Sequence, residues 1–342
     1  MPLTSNDSRS LPPPDRAACW LCRGLHALGH AHPPEPGRRL FGHWLGAAAL
    51  AGATGPVLSQ QGAPAAGEPE GVRGDVGRIS RAARLIPAEQ VEAAAGQQYR
   101  QMLQGAAQQR ALAPVEHPQR LRLQYIADRI IPFAAPWNPR ARQWRWEINL
   151  LGSDEINAFC MPGGKIAFYF GILRRLQLED SEVAMIMGHE AAHALREHAR
   201  ERMGKEFATQ AGVNILSGLL GLGGASDMLL RMGGQLLSLK YSRDDETEAD
   251  LVGLDLAARA GYDPASSVTL WQKMMAASKG APPKFLSTHP PGESRIRDIQ
   301  GKLPKVLPLF ERARRPDRRF MPPPAQAGAP ASPAQAGAAA SR

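Results

Sequence analysis

Apolar positions along the chain change their period several times, and each change marks an element. Residues 87–113 (PAEQVEAAAGQQYRQMLQGAAQQRALA) are rich in helix formers and predict a first helix. Pro118 opens a second, with apolar residues at Leu123, Ile126 and Ile130, that stops before Pro132. From 144 to 150 apolar and polar residues alternate, the two-residue period of a half-buried strand. Residues 157–170 hold two more strand-like runs separated by Pro162-Gly163-Gly164, a hairpin whose glycines supply the turn.

Helical patterning then takes over. Asp180 or Ser181 can cap a helix that runs to about Met203, with Glu182 in its first turn complementing the dipole. Residues 211–226 carry no charge and are too short and glycine-rich to span a bilayer, so they read as a buried lid helix or a membrane-surface element, with burial favoured. Asp244 or Asp245 starts another helix that Gly261 ends, and Pro264 opens a further one through about Ser278. Residues 293–314 read as helix, interrupted near Pro304 and Pro308.

Composition changes this picture at the two ends. The 34 glycines and 30 prolines of the 342-residue chain concentrate there, and such segments cannot bury enough apolar surface to offset chain entropy. Residues 1–79 are expected to be leader and disordered linker, 80–318 the folded domain, and 319–342 a disordered tail with a repeated PAQAGA. Arg38-Arg39 before the apolar run LFGHWLGAAAL (40–50), with small residues at Ala49, Ala51 and Ala53, has the form of an export signal; an alanine-rich leader is the plainer reading.

Charge and cysteines exclude some classes. The formal net charge is +9, carried by arginine without lysine ahead of residue 130 and again from Arg312 to Arg319. A positive surface can favour acidic lipid or nucleic acid, but no nucleic-acid module is present, and a solvated surface is the simpler expectation. Cys19 and Cys22 form one CxxC without a second pair, and Cys160 sits in a strand-like run as a small buried hydrophobe. No uninterrupted apolar run of the length a spanning helix requires exists, so none is predicted.

His189-Glu190-Ala191-Ala192-His193 is an H-E-x-x-H motif inside a helical stretch. Residues four apart share one face, so both imidazoles can reach one ion at about 2.0–2.1 Å. Glu190 can face a water at that ion and take its proton as the water attacks a carbonyl. Val183, Ala184, Ile186 and Met187 bury the helix ahead of the motif, and histidines buried there need polar partners, which a metal supplies. Gly188 allows another backbone to come close.

A third ligand is required, and the extended H-E-x-x-H-x-x-G-x-x-H pattern fails. Arg196 and Ala199 hold the needed positions, and His198 is one residue out of step. Residues 244–250 (DDETEAD) offer an acidic helix start in which Glu246 and Asp250 share a face. Glu246 can bind metal while Asp250 holds the other ring nitrogen of a ligand histidine. Equally, the acidic turn can serve only the helix dipole. Two histidines and a carboxylate suit zinc well.

HEAAH is followed in order by SRDDETEAD (242–250), AGYDP (260–264) and STHPPGESR (287–295), with NAFCMPGGKIAF (157–168) upstream. Together these segments resemble the HtpX-type family of zinc metallopeptidases, which includes the CAAX prenyl endopeptidases. The pattern is most similar to the soluble, periplasmic bacterial branch of BepA-like and LoiP-like proteins, over about residues 85–312. No counterpart to the spanning helices of HtpX itself or to the C-terminal helical repeats of BepA-like proteins is expected, since these 342 residues show no 34-residue repeat.

The resemblance implies an α+β, mostly helical fold: a single gluzincin-type metalloprotease domain with a small sheet beside the active-site helix. It implies one zinc ion per chain on His189, His193 and Glu246, with Asp250 in support and Glu190 as general base. A strand at Asn157, Ala158 and Phe159 would flank the cleft and receive substrate as an added strand. His289 would approach the zinc, either as a reversible fourth ligand that blocks water or as an oxyanion stabiliser, and Arg295 nearby can stabilise the oxyanion too. The implied function is a zinc metalloendopeptidase for extended or misfolded protein segments in envelope quality control. Its partners would be polypeptides, unfolded or outer-membrane proteins among them, with no nucleic acid, and membrane-surface association stays open. Its location would be the periplasm or cell envelope, otherwise the cytoplasm. The rival reading is a chaperone or outer-membrane assembly factor with a latent, His289-capped zinc site.

Overall fold

The structure is a computed structural model and describes residues 69–218, 240–278, 283–290 and 293–325. In chain order the elements are α1 (Ala88–Gln108), α2 (Pro118–Ile130), β1 (Glu147–Leu151), β2 (Ala158–Met161), β3 (Lys165–Tyr169), α3 (Phe170–Leu176) and α4 (Asp180–Leu195). They continue with α5 (His198–Gly218), α6 (Arg243–Arg259), α7 (Ser266–Ala277), α8 (Lys284–Thr288) and α9 (Glu293–Arg312). The described residues are mostly helical with one small sheet among them, as the resemblance implied.

The three strands run in the order β1-β3-β2. β2 and β3 form the expected antiparallel hairpin, and β1 pairs parallel to β3 with Ile148 opposite Ile166. Gly163 and Gly164 make the hairpin turn at φ 84° and 74°, a region that side chains disfavour. This order leaves β2 as an edge strand, packed against α4.

One core joins α2, the sheet, α4, α6 and α7, with Ile126, Leu150, Phe168, Met187 and Val252 among its members. A second cluster, including Tyr99, Met102, Leu151, Met161 and Met203, seats α1 and α5 against the other side of the sheet. Each large aliphatic side chain fully buried here contributes roughly 1.5–3 kcal/mol.

α4 lies at the centre. Every residue from Glu182 to Leu195 is buried, so the helix is covered on all sides and its polar groups must find partners inside the protein. α6 crosses it at very close range. A Cβ on Gly188 would lie 2.8 Å from the Gly253 carbonyl, and one on Gly253 would lie 2.8 Å from the His189 nitrogen. Only glycine at both positions lets the backbones meet, which brings the acidic start of α6 against the histidines of α4.

Several expected boundaries move. The helix predicted to reach Met203 breaks at Glu197, whose φ of 59° ends α4 and lets α5 begin at His198. Its N-cap is Glu179, in a reciprocal box with Glu182, which leaves Asp180 free to hold the buried Arg122 at 2.6 Å. Ser242 caps α6 in the same way with Asp245. α9 continues through Pro304 and Pro308. The carbonyls those prolines cannot bond belong to Gln300 and Pro304, both exposed, so water can satisfy them.

Residues 69–79 and 319–323, assigned by composition to linker and tail, lie against the body. Val72 is fully buried, Arg196 donates to the Gly77 carbonyl at 2.6 Å, and Gln177 donates to the Pro323 carbonyl at 2.8 Å. The export signal, the CxxC pair and the PAQAGA repeat lie outside the described residues. Of the uncharged stretch 211–226, backbone is described only as far as Gly218.

Candidate metal centre

The 3.6-residue period of α4 sets His189 and His193 on one face, and the α4–α6 crossing sets Glu246 opposite them. His289 enters from the C-cap of α8, where its backbone N–H donates to the Phe285 carbonyl at 2.9 Å. These four buried side chains each offer one donor atom, all within 4.8 Å of one another.

Most of the spacings are close to those of donors that share one small ion. His189 Nε2 is 3.1 Å from His193 Nε2 and 3.2 Å from His289 Nδ1. Glu246 Oε2 is 3.6 Å from His189 Nε2, and Glu246 Oε1 is 3.5 Å from His193 Nε2 and 2.9 Å from His289 Nδ1. Two donors bonded tetrahedrally to one zinc at about 2.0–2.1 Å sit roughly 3.3 Å apart. The nitrogen and oxygen set fits a divalent ion of that kind.

Each histidine of the motif is held by its other nitrogen. His189 Nδ1 lies 3.0 Å from Asp250 Oδ1, and Arg295 grips Asp250 with Nε to Oδ2 at 2.5 Å and Nη2 to Oδ1 at 2.8 Å. Nη1 of the same guanidinium pairs with Glu246 Oε2 at 2.7 Å, and its plane covers Trp271 at 3.8 Å. His193 Nδ1 lies 2.9 Å from His198 Nδ1, and His198 Nε2 lies 3.3 Å from Glu248 Oε2. Rings also clamp the site. Tyr241 stacks on His193 at 3.8 Å, and Phe285 stacks on His289 at 4.5 Å.

Electrostatics agree with the geometry. Burial opposes ionisation of Asp250, yet Arg295 and His189 hold it down at about 2. Burial opposes it at Glu246 also, and His289, His189 and Arg295 bring it below the usual carboxylate range. Burial, followed by the neighbouring imidazoles, pushes His193 well down, so its ring is neutral and free to donate a lone pair. Glu190 is raised by burial, and its Oε1 has no hydrogen-bond partner, only His289 Nε2 at 3.5 Å. A buried carboxylate oxygen left unpaired beside four converging donors is what a metal site with a reacting water requires.

The structure thus brings together His189, Glu190, His193, Glu246, Asp250, His289 and Arg295. Arg295 is committed to two carboxylates. Asn157 precedes β2 and Ala158 and Phe159 open it, on the edge strand packed against α4. There the Asn157 carbonyl accepts from the Tyr169 N–H at 3.0 Å, and its side chain accepts from the Ala158 N–H at 3.0 Å. Sequence reasoning missed Tyr241, Trp271 and Phe285, whose aromatic character alone carries no sign of a site. It also set His198 aside, because a fifth-residue histidine was weighed only as a ligand and not as a support.

A mostly helical domain with an H-E-x-x-H helix and a distant glutamate beside it is a metalloprotease domain of the gluzincin type. The sequence pattern of peptidase family M48 matches residues 119–303, and the chain belongs to that family. It is similar to mitochondrial metalloendopeptidase OMA1 of Schizosaccharomyces pombe, 36% identical over 198 residues, covering 57% of this chain and 56% of that protein. The Arabidopsis thaliana protein of the same name is 38% identical over 154 residues, 44% of this chain and 30% of that one. Beta-barrel assembly-enhancing protease of Escherichia coli is 29% identical over 170 residues, 47% of this chain and 35% of that one. The chain therefore spans little more than half of the first relative and under a third of the second. These identities support the family and do not favour the narrower BepA-like branch over the mitochondrial proteins.

Proposed function

We propose that the protein is a zinc-dependent metalloendopeptidase that cuts extended or misfolded polypeptide segments. The observation that carries this reading is the convergence of His189, His193, Glu246 and His289 within 4.8 Å, with the unpaired Glu190 carboxylate beside them. His189, His193 and Glu246 would hold the ion, with Asp250 fixing the His189 ring. When bound, zinc supplies Lewis acidity toward a carbonyl and makes water acidic near neutral pH. Glu190 Oε1 takes one proton from the attacking water while the water oxygen bonds to the carbonyl carbon. It then returns that proton to the amide nitrogen as the C–N bond breaks. The edge of β2 at Asn157–Phe159 would align the peptide by backbone pairing, which tolerates many sequences. Arg295 would act by holding Asp250 and Glu246 in place. The domain would run over 80–318, with the packed 69–79 and 319–323 as flanking straps.

A second reading rests on His289. Its Nδ1 lies 3.2 Å from His189 Nε2 and 2.9 Å from Glu246 Oε1, so it would serve as a fourth ligand where a catalytic zinc site leaves a position to water. The enzyme in this conformation would be latent, or a chaperone and assembly factor that keeps the metal for structure. A setting in envelope quality control, toward outer-membrane proteins, draws support from the leader's export-like pattern and from likeness to a beta-barrel assembly-enhancing protease. An alkaline phosphatase fusion to residues 1–80 that stays inactive removes that setting.

Casein cleavage by the full chain, beside Glu190→Gln, with bound metal quantified in both, tests the function. One zinc in each and a loss of about 10²–10⁴-fold in the variant upholds the peptidase with Glu190 as base. Zinc in both and cleavage in neither moves the latent reading ahead, and His289→Ala should then raise activity. Metal in neither overturns both readings.

A further inference from the structure

Beyond α9 the chain does not leave the body but turns back along α2. Arg129 donates to the Arg314 carbonyl, Tyr125 bonds Asp317 Oδ1 at 2.5 Å, and Gln119 donates to the Met321 carbonyl at 3.0 Å. Positions fall along α2 as they rise along the strap, so the two run antiparallel. Phe320 packs on Tyr125 with ring centroids 5.5 Å apart, and its N–H reaches Asp180 Oδ2 at 2.9 Å. The strap is therefore fixed in place, and with it the direction of its side chains.

What it presents outward is unusual in two respects. Residues 312–319 contain five arginines and one aspartate, and Arg314, Arg315, Arg318 and Arg319 are all exposed. Met321, at the end of this run, is 82% exposed, and Leu121 (50%) and Val115 (54%) stand out at the same end of α2. Among the described residues only one other large apolar side chain, Leu85, is exposed to this degree. The arginines of the strap thus lead to exposed apolar side chains near the start of α2.

We propose that this arginine strap, with Met321, Leu121 and Val115 beside it, docks on an anionic lipid surface. Guanidinium groups pair bidentately with lipid phosphates, and each basic residue near such a surface adds to binding. The apolar tips would enter the headgroup boundary, which a purely electrostatic contact does not need. Nucleic acid fits less well. Its single strands are held by stacking on free aromatic faces, whereas Tyr125 and Phe320 are packed on each other and Phe310 lies under Arg315. No described helix is long and apolar enough to cross a membrane, so this contact would lie on the surface of the bilayer. Through Phe320 and Asp180 the strap also touches the first turn of α4, the helix that carries the metal-binding motif.

The test is co-sedimentation of the full chain with vesicles of phosphatidylcholine alone and of phosphatidylcholine with about one third phosphatidylglycerol, at low and high salt. Binding only to the anionic vesicles, lost at high salt, is expected. Changing Arg314, Arg315, Arg318 and Arg319 together to Gln should weaken it at least about tenfold, with the thermal melt unchanged. Met321→Trp supplies an independent readout: its fluorescence should shift to the blue with anionic vesicles and not with phosphatidylcholine. No binding to anionic vesicles, no loss in the four-arginine variant, or no shift at position 321 overturns the proposal. Tighter binding to a single-stranded or duplex oligonucleotide than to the anionic vesicles also overturns it, in favour of nucleic acid.

Discussion

His193 Nδ1 lies 2.9 Å from His198 Nδ1, and this contact decides which nitrogen of His193 faces the metal centre. One of the two must donate. If His193 donates, its Nε2 keeps a lone pair for the ion, and the bare His198 Nδ1 requires a proton on His198 Nε2. That nitrogen indeed has Glu248 Oε2 at 3.3 Å to receive it, and Arg196 steadies the same oxygen at 2.9 Å. The direction of the whole chain is thus fixed from the carboxylate inward. His198→Ala should lower zinc affinity by about 10–100-fold. Competition against a chromophoric chelator measures this, and an unchanged affinity would show that the contact does not orient the ligand.

Asp250 and Arg295 form the matching support behind His189, but here the partners are charged and buried. Removing one charge leaves the other without its main counter-charge in the interior. Asp250→Ala should therefore cost about 3–5 kcal/mol of stability, measured by urea unfolding of the metal-free protein. Asp250→Asn with Arg295→Met should recover part of that loss, since the Asp250–Arg295 pair is removed as a unit, and only part because Glu246 then loses its contact with Arg295. A single variant as stable as the parent would show that the ion pair contributes nothing to the fold.

The two supports differ in how far the sequence revealed them. Asp250 was legible, because Glu246 and Asp250 fall on one helical face and a carboxylate behind a ligand histidine is a common need. His198 was visible only as a failed ligand. Its role depends on the break at Glu197, a single left-handed residue that periodicity does not mark. The helices α1, α2, α4, α6 and α7 were legible from hydrophobic spacing and from prolines and caps, since those signals are local. The strand order and the strap along α2 were not. Composition assigned 319–323 to a tail, because docking there runs through backbone carbonyls that carry no sequence signature.

Gly188 sits inside a buried helix, where helix propensity alone favours alanine by about 1 kcal/mol. The crossing with α6 reverses that expectation. The added methyl would lie 2.8 Å from the Gly253 carbonyl and 3.1 Å from its Cα, both backbone atoms that cannot rotate away. Gly188→Ala should destabilise the protein by roughly 1–3 kcal/mol and weaken metal binding together, because the same shift carries Glu246 away from His189. Thermal melting and zinc titration on one sample check this. A variant that loses stability but binds zinc normally would mean that the helices part without disturbing the site.

Metal removal should be felt throughout the fold, because the site ties together α4, α6 and the end of α8. Without an ion, three imidazoles and the Glu246 carboxylate must satisfy one another across 2.9–3.6 Å in a buried space. A ligand bound only by the folded state stabilises it by about 2.7 kcal/mol at a hundredfold excess over its dissociation constant. Stripping the protein with a chelator should lower the melting temperature, and zinc should restore it in proportion to the logarithm of its free concentration. His193→Ala should abolish that dependence, whereas Glu190→Gln should keep it, since Glu190 is expected to contact the reacting water and not the ion. A melting temperature insensitive to chelator and zinc in the parent would mean that the four donors close on one another and hold no metal.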